Sequence, residues 1–102
     1  LESKEVDLVA GKTSRLEFTL RQVMPTPGWA SGDFHVHSVH SVDSDMALDD
    51  RVASFAVEGV DIVTSTDHNF VSDFAPTVEA LDLRDWLHSV VGLELTTLEM
   101  GT

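Results

Sequence analysis

Val60-Asp61-Ile62-Val63-Thr64-Ser65 is a short run dominated by β-branched side chains, the composition of a buried strand, and it lies between two stretches of helical character. On its N-terminal side, residues 48–58 carry helical spacing, with Val52, Ala53, Ala56 and Val57 on one stripe. Ser44 or Asp45 is available to cap the start of that helix and Gly59 to end it. On its C-terminal side, a polar loop over residues 67–73 leads to Pro76, which suits the first turn of a helix running through Val78 and Leu81. Working outward again, residues 33–36 and 89–95 read as strands, so the order is β-α-β-α-β. That alternation predicts an α/β fold with a parallel sheet and right-handed crossovers, its functional groups gathered at the carboxyl ends of the strands. Three strands and two helices cannot cover both faces of such a sheet. The expectation is therefore that these 102 residues belong to a larger domain, or that self-association supplies the missing cover.

Upstream the pattern is different. Residues 5–20 read as a β-hairpin: Val6 and Leu8 alternate with polar neighbours, Ala10-Gly11-Lys12 turns the chain, and Leu16, Phe18 and Leu20 share a face. A lone hairpin is marginal in water, so this one is expected to be the end of a preceding β-sandwich. Met24-Pro25-Thr26-Pro27-Gly28 forbids helix and permits a turn. The organisation expected is thus a hairpin over 1–23, a linker over 24–31 and an α/β domain from 32 to 102.

Composition narrows the chemistry. The chain has no cysteine, which removes disulfides, thiolate nucleophiles and cysteine-based zinc sites, so any metal must be held by imidazole and carboxylate. A formal charge of −12 makes extended contact with nucleic acid or an anionic membrane surface unfavourable. No apolar run approaches the roughly 18 to 20 residues that cross a bilayer, and Leu1-Glu2-Ser3-Lys4-Glu5 lacks the layout of a signal peptide. Ser38, Ser41, Ser44, Ser65 and Ser72 are present, but none lies in a Gly-x-Ser-x-Gly elbow. There is also no Gly-rich phosphate loop and no zincin helix.

Three features carry chemistry. Gly32-Asp33-Phe34-His35-Val36-His37-Ser38-Val39-His40-Ser41-Val42-Asp43-Ser44-Asp45 sets His35 and His37 two apart on a strand, where both face the same way and can grip one cation. Thr66-Asp67-His68-Asn69 follows the second strand, and Asp67 there can bind metal or orient a ligand. Val90-Val91-Gly92-Leu93-Glu94-Leu95-Thr96 places an acid inside an otherwise apolar strand, a costly position unless a cation or partner compensates it. Each has a plain alternative: solvent-facing strand histidines, an Asx-turn, and an edge glutamate pointing to water. Together they fall at or just past the ends of successive strands, which independent accidents rarely produce.

A strand bearing His-x-His with a Ser- and Asp-rich loop, a strand ending in Thr-Asp-His, and a strand carrying Gly-x-Glu resemble, in that order, the polymerase-and-histidinol-phosphatase (PHP) superfamily. The likeness spans Gly32 to Thr96. It implies an α/β fold that is part of a distorted β/α barrel holding up to three divalent cations of zinc, manganese or iron. By that likeness His35 and His37 hold one cation, Glu94 bridges it to a second, Asp43 with His68 serves a third, and Asp67 supports from behind. Asp45 is the alternative to Asp43 if the loop is shifted, and His40 has no counterpart. The fuller phrase Trp-x-x-Gly-Asp-x-His-x-His after a β-rich segment resembles the carbaryl- and microcin-processing branch. Two departures matter: that branch tends to have histidine where this chain has Met100-Gly101-Thr102, and the family's later ligands fall beyond Thr102. The function implied is hydrolysis, chiefly of a small phosphorylated substrate, by cation-activated water in a longer parent chain, this stretch alone being inactive. Amide or carbamate hydrolysis is open to the same chemistry. The rival is a non-catalytic metal-binding or interaction module that retains part of the barrel.

Overall fold

The computed structural model describes residues 3–19, 21 and 24–97. Five elements follow one another: β1 (Gly32–Val36), α1 (Leu48–Glu58), β2 (Ile62–Ser65), α2 (Ala75–Ala80) and β3 (His88–Val91). The strands pair in parallel in the order β1-β2-β3. The β-α-β-α-β alternation read from hydrophobic spacing is therefore the order of the folded chain. Among the described residues no helix is long and apolar enough to cross a membrane.

α1 spans the residues its periodicity assigns, and Gly59 ends it in the left-handed region at φ 76°, its N–H reaching the Ala56 carbonyl at 3.2 Å. The expected cap is different. Ala47 occupies the N-cap position without a side-chain bond, because the helix starts too late for Ser44 or Asp45 to reach its free N–H groups. Ser44 Oγ instead accepts from the Met46 N–H at 3.4 Å, inside a loop closed by Val39 N–H donating to the Met46 carbonyl at 2.8 Å. Asp49 and Asp50 in the first turn offset the exposed amide dipoles that the missing cap leaves. Pro76 lies in the first turn of α2 as expected, and the helix stops at Ala80, one residue short of Leu81.

Strand limits also shift for local reasons. Val60 donates to the Phe55 carbonyl at 3.0 Å, finishing α1, so β2 begins at Ile62 and not at residue 60. β3 begins at His88 and breaks at Gly92, which bridges antiparallel to Ser72, while Glu94 bridges in parallel to His68. At the start of β1 and β2, Ser31 and Asp61 clasp the strands together: Ser31 N–H and Oγ–H donate to Asp61 Oδ2 at 2.7 and 3.0 Å.

Val36, Val52, Val63, Phe74, Val78 and Leu87 form the core, with Leu48, Phe55, Val60 and Leu83 packed at its margin. Residues from both helices meet there with residues from β1 and β2, so α1 and α2 cover the same side of the sheet. Among the described residues nothing covers the other side: Phe34 and Val90 are exposed, and Ile62 and Thr64 are half-buried. A parallel sheet normally buries both faces. The shortfall of cover expected from the sequence is present among the described residues.

The expected hairpin does not form a ladder. Residues 3–19 contain a turn at 10–11, closed by Lys12 N–H donating to the Val9 carbonyl at 3.1 Å, but no strand. The chain does reverse, since Lys4 Nζ donates to the Glu17 carbonyl and lies 4.9 Å from the centre of the Phe18 ring. All described residues before Gly32 are exposed. With no apolar surface beneath it, two-stranded pairing has nothing to offset its ordering cost. Leu20, assigned to the hairpin's inner face, lies outside the described residues, as do Met100 to Thr102.

Candidate metal centre

The carboxyl ends of the three strands bring His35, His37, Asp43, His68 and Glu94 into one cluster. His35 lies in β1, within an irregularity of its register, and His37 follows the strand directly. Asp33 pairs with Val63 and Val36 with Ser65, so three steps along β1 match two along β2. This bulge turns Val36 into the core, where it is 4% exposed, and His35 and His37, which alternate with it, project to the opposite side. Thr66 secures the strand there: its Oγ1 accepts from the Val36 N–H at 2.9 Å, and its own N–H donates to the Val36 carbonyl at 2.8 Å.

His68 and Glu94 are brought side by side because the β2–β3 pairing resumes beyond both strands. Glu94 N–H donates to the Asp67 carbonyl at 3.2 Å and Asn69 N–H to the Glu94 carbonyl at 2.9 Å. Asn69 adopts the left-handed conformation, φ 52°, which an asparagine tolerates better than most residues. Its side chain closes the turn by donating Nδ2–H to the Thr96 carbonyl at 2.9 Å and accepting from Thr96 N–H at 3.0 Å.

The ligand atoms converge on Glu94 Oε2, which lies 2.7 Å from His37 Nε2, 2.9 Å from His35 Nε2 and 3.5 Å from His68 Nδ1. The two strand imidazoles present Nε2 atoms 3.1 Å apart. On its other edge His37 Nδ1 lies 3.0 Å from both Asp43 oxygens, and Asp43 Oδ2 is 3.3 Å from His68 Nε2. Two sets therefore form, His35–His37–Glu94 and His37–Asp43–His68, each with its ligand atoms within 4.8 Å of one another. The cluster opens to solvent through His35, whose side chain is 65% exposed, while those of His37 and His68 are 17% and 16% exposed.

Protonation follows from these contacts. Burial works against charge on His37, but its hydrogen bonds to Asp43 and Glu94 outweigh it and the pKa rises above 6.5. Asp43 is held down at about 2, chiefly by the Ser41 hydroxyl, which donates at 2.6 Å, and further by His37. Burial raises Glu94, but bonds from His35 and His37 prevail and its pKa is lowered. Lone pairs from neutral imidazoles and two carboxylates facing one another need protons or a cation between them. The donor set, nitrogen and carboxylate oxygen without sulfur, suits zinc, manganese or iron.

Asp67 does not touch a ligand side chain. Its carboxylate is fully buried and accepts from Ser38 N–H at 2.5 Å, Ser38 Oγ at 2.7 Å and Ser72 Oγ. It acts on the cluster through the backbone, pinning the residue that follows His37 to the β2 loop. Asp45 stands exposed outside both sets, and His40 stacks on Phe70 with ring centres 4.6 Å apart. The serines matter as hydroxyl donors, which motif reading had weighed only as nucleophiles: Ser41 holds Asp43 and also accepts from His68 N–H at 3.3 Å. Thr96, whose Oγ1 lies 2.5 Å from His68 Nδ1, likewise gave no motif signal.

No protein-family model, no curated protein and no solved structure matches this chain.

Proposed function

We propose that this chain carries the cation site of a metal-dependent hydrolase of PHP type, acting on a phosphoester in a longer parent chain. The observation that supports the reading most is the convergence of His35 and His37, at the end of β1, with Glu94, from the segment that follows β3 in the same parallel sheet. A divalent cation held there supplies a water activated at neutral pH and a counter-charge for the leaving oxygen.

The residues have distinct tasks. With Nδ1–H of His37 donated to Asp43, its Nε2 lone pair is free for the set shared with His35 and Glu94. A neutral imidazole offers one lone pair, so His37 serves one set at a time, and we read His35–His37–Glu94 as the primary set. His68, with Nδ1 beside the Thr96 hydroxyl, presents Nε2 toward Asp43, and that pair provides for a second cation. Exposure of His35 leaves the primary set open to water and a small phosphorylated substrate.

The uncovered face of the sheet favours a second reading, a non-catalytic metal-binding or interaction module. The two differ in whether the cation keeps an exchangeable water, which a catalytic site does and a closed structural site does not. Manganese titration of the chain, followed by calorimetry and by water-proton relaxation, separates them. Binding with relaxation enhancement, lost in the His35→Ala/His37→Ala variant, is expected, with turnover of an aryl phosphate only in a longer chain. Binding without enhancement favours the module, and no binding by the unmodified chain overturns both.

A further inference from the structure

We infer that Asp33 is a positioning residue that decides which face of β1 carries the ligand histidines, an inference that rests on the cation reading of His35 and His37. Asp33 pairs with Val63, a core residue, so an unbroken strand would carry His35 and His37 on Val63's side, beneath the helices. The bulge reverses that alternation, and Val36 takes the core side opposite Ser65. The bulge turns backbone N–H groups to side-chain acceptors: Val36 N–H goes to Thr66 Oγ1 at 2.9 Å, and His35 N–H needs an acceptor of its own. Asp33 provides it: its Oδ1 accepts from the His35 N–H at 3.1 Å. The carboxylate thus holds the residue at which the strand changes face, and it belongs to neither ligand set.

The neighbours fit the same arrangement. Phe34 lies back over Gly32, where an added Cβ would fall 2.7 Å from the ring, so those two residues share a side. Phe34 is exposed, as is His35, which places two consecutive side chains outside the core. Removing the acceptor at position 33 leaves the His35 N–H free and lets the strand relax toward regular alternation, with the Nε2 atoms of His35 and His37 no longer aimed at Glu94.

The test compares the unmodified chain with Asp33→Ala and with Asp33→Asn, which keeps a side-chain oxygen at the same place. Cobalt(II) titration, read by its visible absorption, reports affinity and ligand geometry. Amide exchange by NMR reports the His35 N–H. Asp33→Ala is expected to weaken cobalt binding by about 10- to 100-fold, as loss of supporting groups around metal ligands does, with a changed spectrum and a fast-exchanging His35 amide. Asp33→Asn restores affinity, spectrum and protection. Cobalt binding by Asp33→Ala equal to the unmodified chain overturns the inference, as does an Asn variant no better than Ala. If none of the three binds cobalt, the cation reading fails but the exchange data still decide the bulge. If Asp33→Ala does not fold, the His35 amide of the unmodified chain decides, since an unprotected amide there overturns the role of Asp33.

Discussion

Replacing Asp67 by alanine tests how the loops that carry the ligands are held. The carboxylate and its partners are buried, Asp67 and Ser38 at 0% exposure and Ser72 at 2%. Alanine would strand three donors, the Ser38 N–H and the Ser38 and Ser72 hydroxyls. Each buried group left unmade costs about 1 to 3 kcal/mol, with some recovery as hydroxyls rotate to other acceptors, so a loss of about 3 to 5 kcal/mol is expected. In a domain of this size each kcal/mol moves the melting temperature by about 4 to 8 °C, giving a fall of at least about 12 °C. Circular dichroism during heating measures it, with Ser72→Ala as the single-bond comparison at about 1 kcal/mol. A pH series adds a second readout. Burial raises the Asp67 pKa, but bonds from Ser72 and Ser38 outweigh it and hold it below the usual carboxylate value. A group depressed on folding contributes stability above its unfolded pKa and loses it as pH falls through the folded one. Asp67→Asn should therefore flatten the acid limb of the stability curve below about pH 4. An alanine variant within 1 kcal/mol of the parent, judged against the roughly 3 kcal/mol expected, would refute the account of Asp67 as the pin between the loops after β1 and β2.

Three further outcomes follow from the same geometry. Because the His37 pKa is raised, its contribution to the cation-free fold is present below 6.5 and disappears as pH rises through the folded value, whereas cation affinity grows over that interval. Melting curves in chelator and in manganese should diverge with opposite slopes between about pH 6 and 8, and parallel slopes would contradict it. Gly92→Ala should lower stability and weaken cation binding together, since a Cβ there would lie 2.6 Å from the Ser65 carbonyl oxygen, two residues before Glu94; circular dichroism and manganese titration read both, and an unaffected variant would show that the backbone yields freely. The exposed face bearing Phe34 and Val90 is expected to drive self-association that strengthens with salt as repulsion from the −12 charge is screened. Sedimentation across a salt series measures this, and a monomer throughout would leave that face uncovered.

The element order was legible because it depends on local signals: β-branched runs, the stripe of α1, Gly59 at its end and Pro76 at the start of α2. The five clustered side chains were legible as a group because the chemistry of cation binding restricts residue type, and a parallel sheet gathers strand ends. What sequence spacing could not show depends on contacts between distant segments. The bulge in β1 shows only in its register against β2, where Val36 N–H meets the Thr66 hydroxyl thirty residues away. Ser41, Ser72 and Thr96 are ordinary loop residues until the fold gives each hydroxyl a carboxylate or an imidazole to meet. The hairpin failed for the opposite reason. Its alternation is a real local signal, but nothing in the described structure lies beneath it to reward pairing.

Glu94 and His35 touch across 59 positions of sequence. An unfolded chain consequently offers a cation His35 and His37 as neighbours but no chelate that includes Glu94, and closing so long a loop for one contact is slow and entropically costly. A cation held by His35, His37 and Glu94 would meet all three only after the three strands have joined. Added metal should therefore act as a latch: it lengthens the lifetime of the folded chain by slowing its opening, and leaves the rate at which the chain first folds almost unchanged.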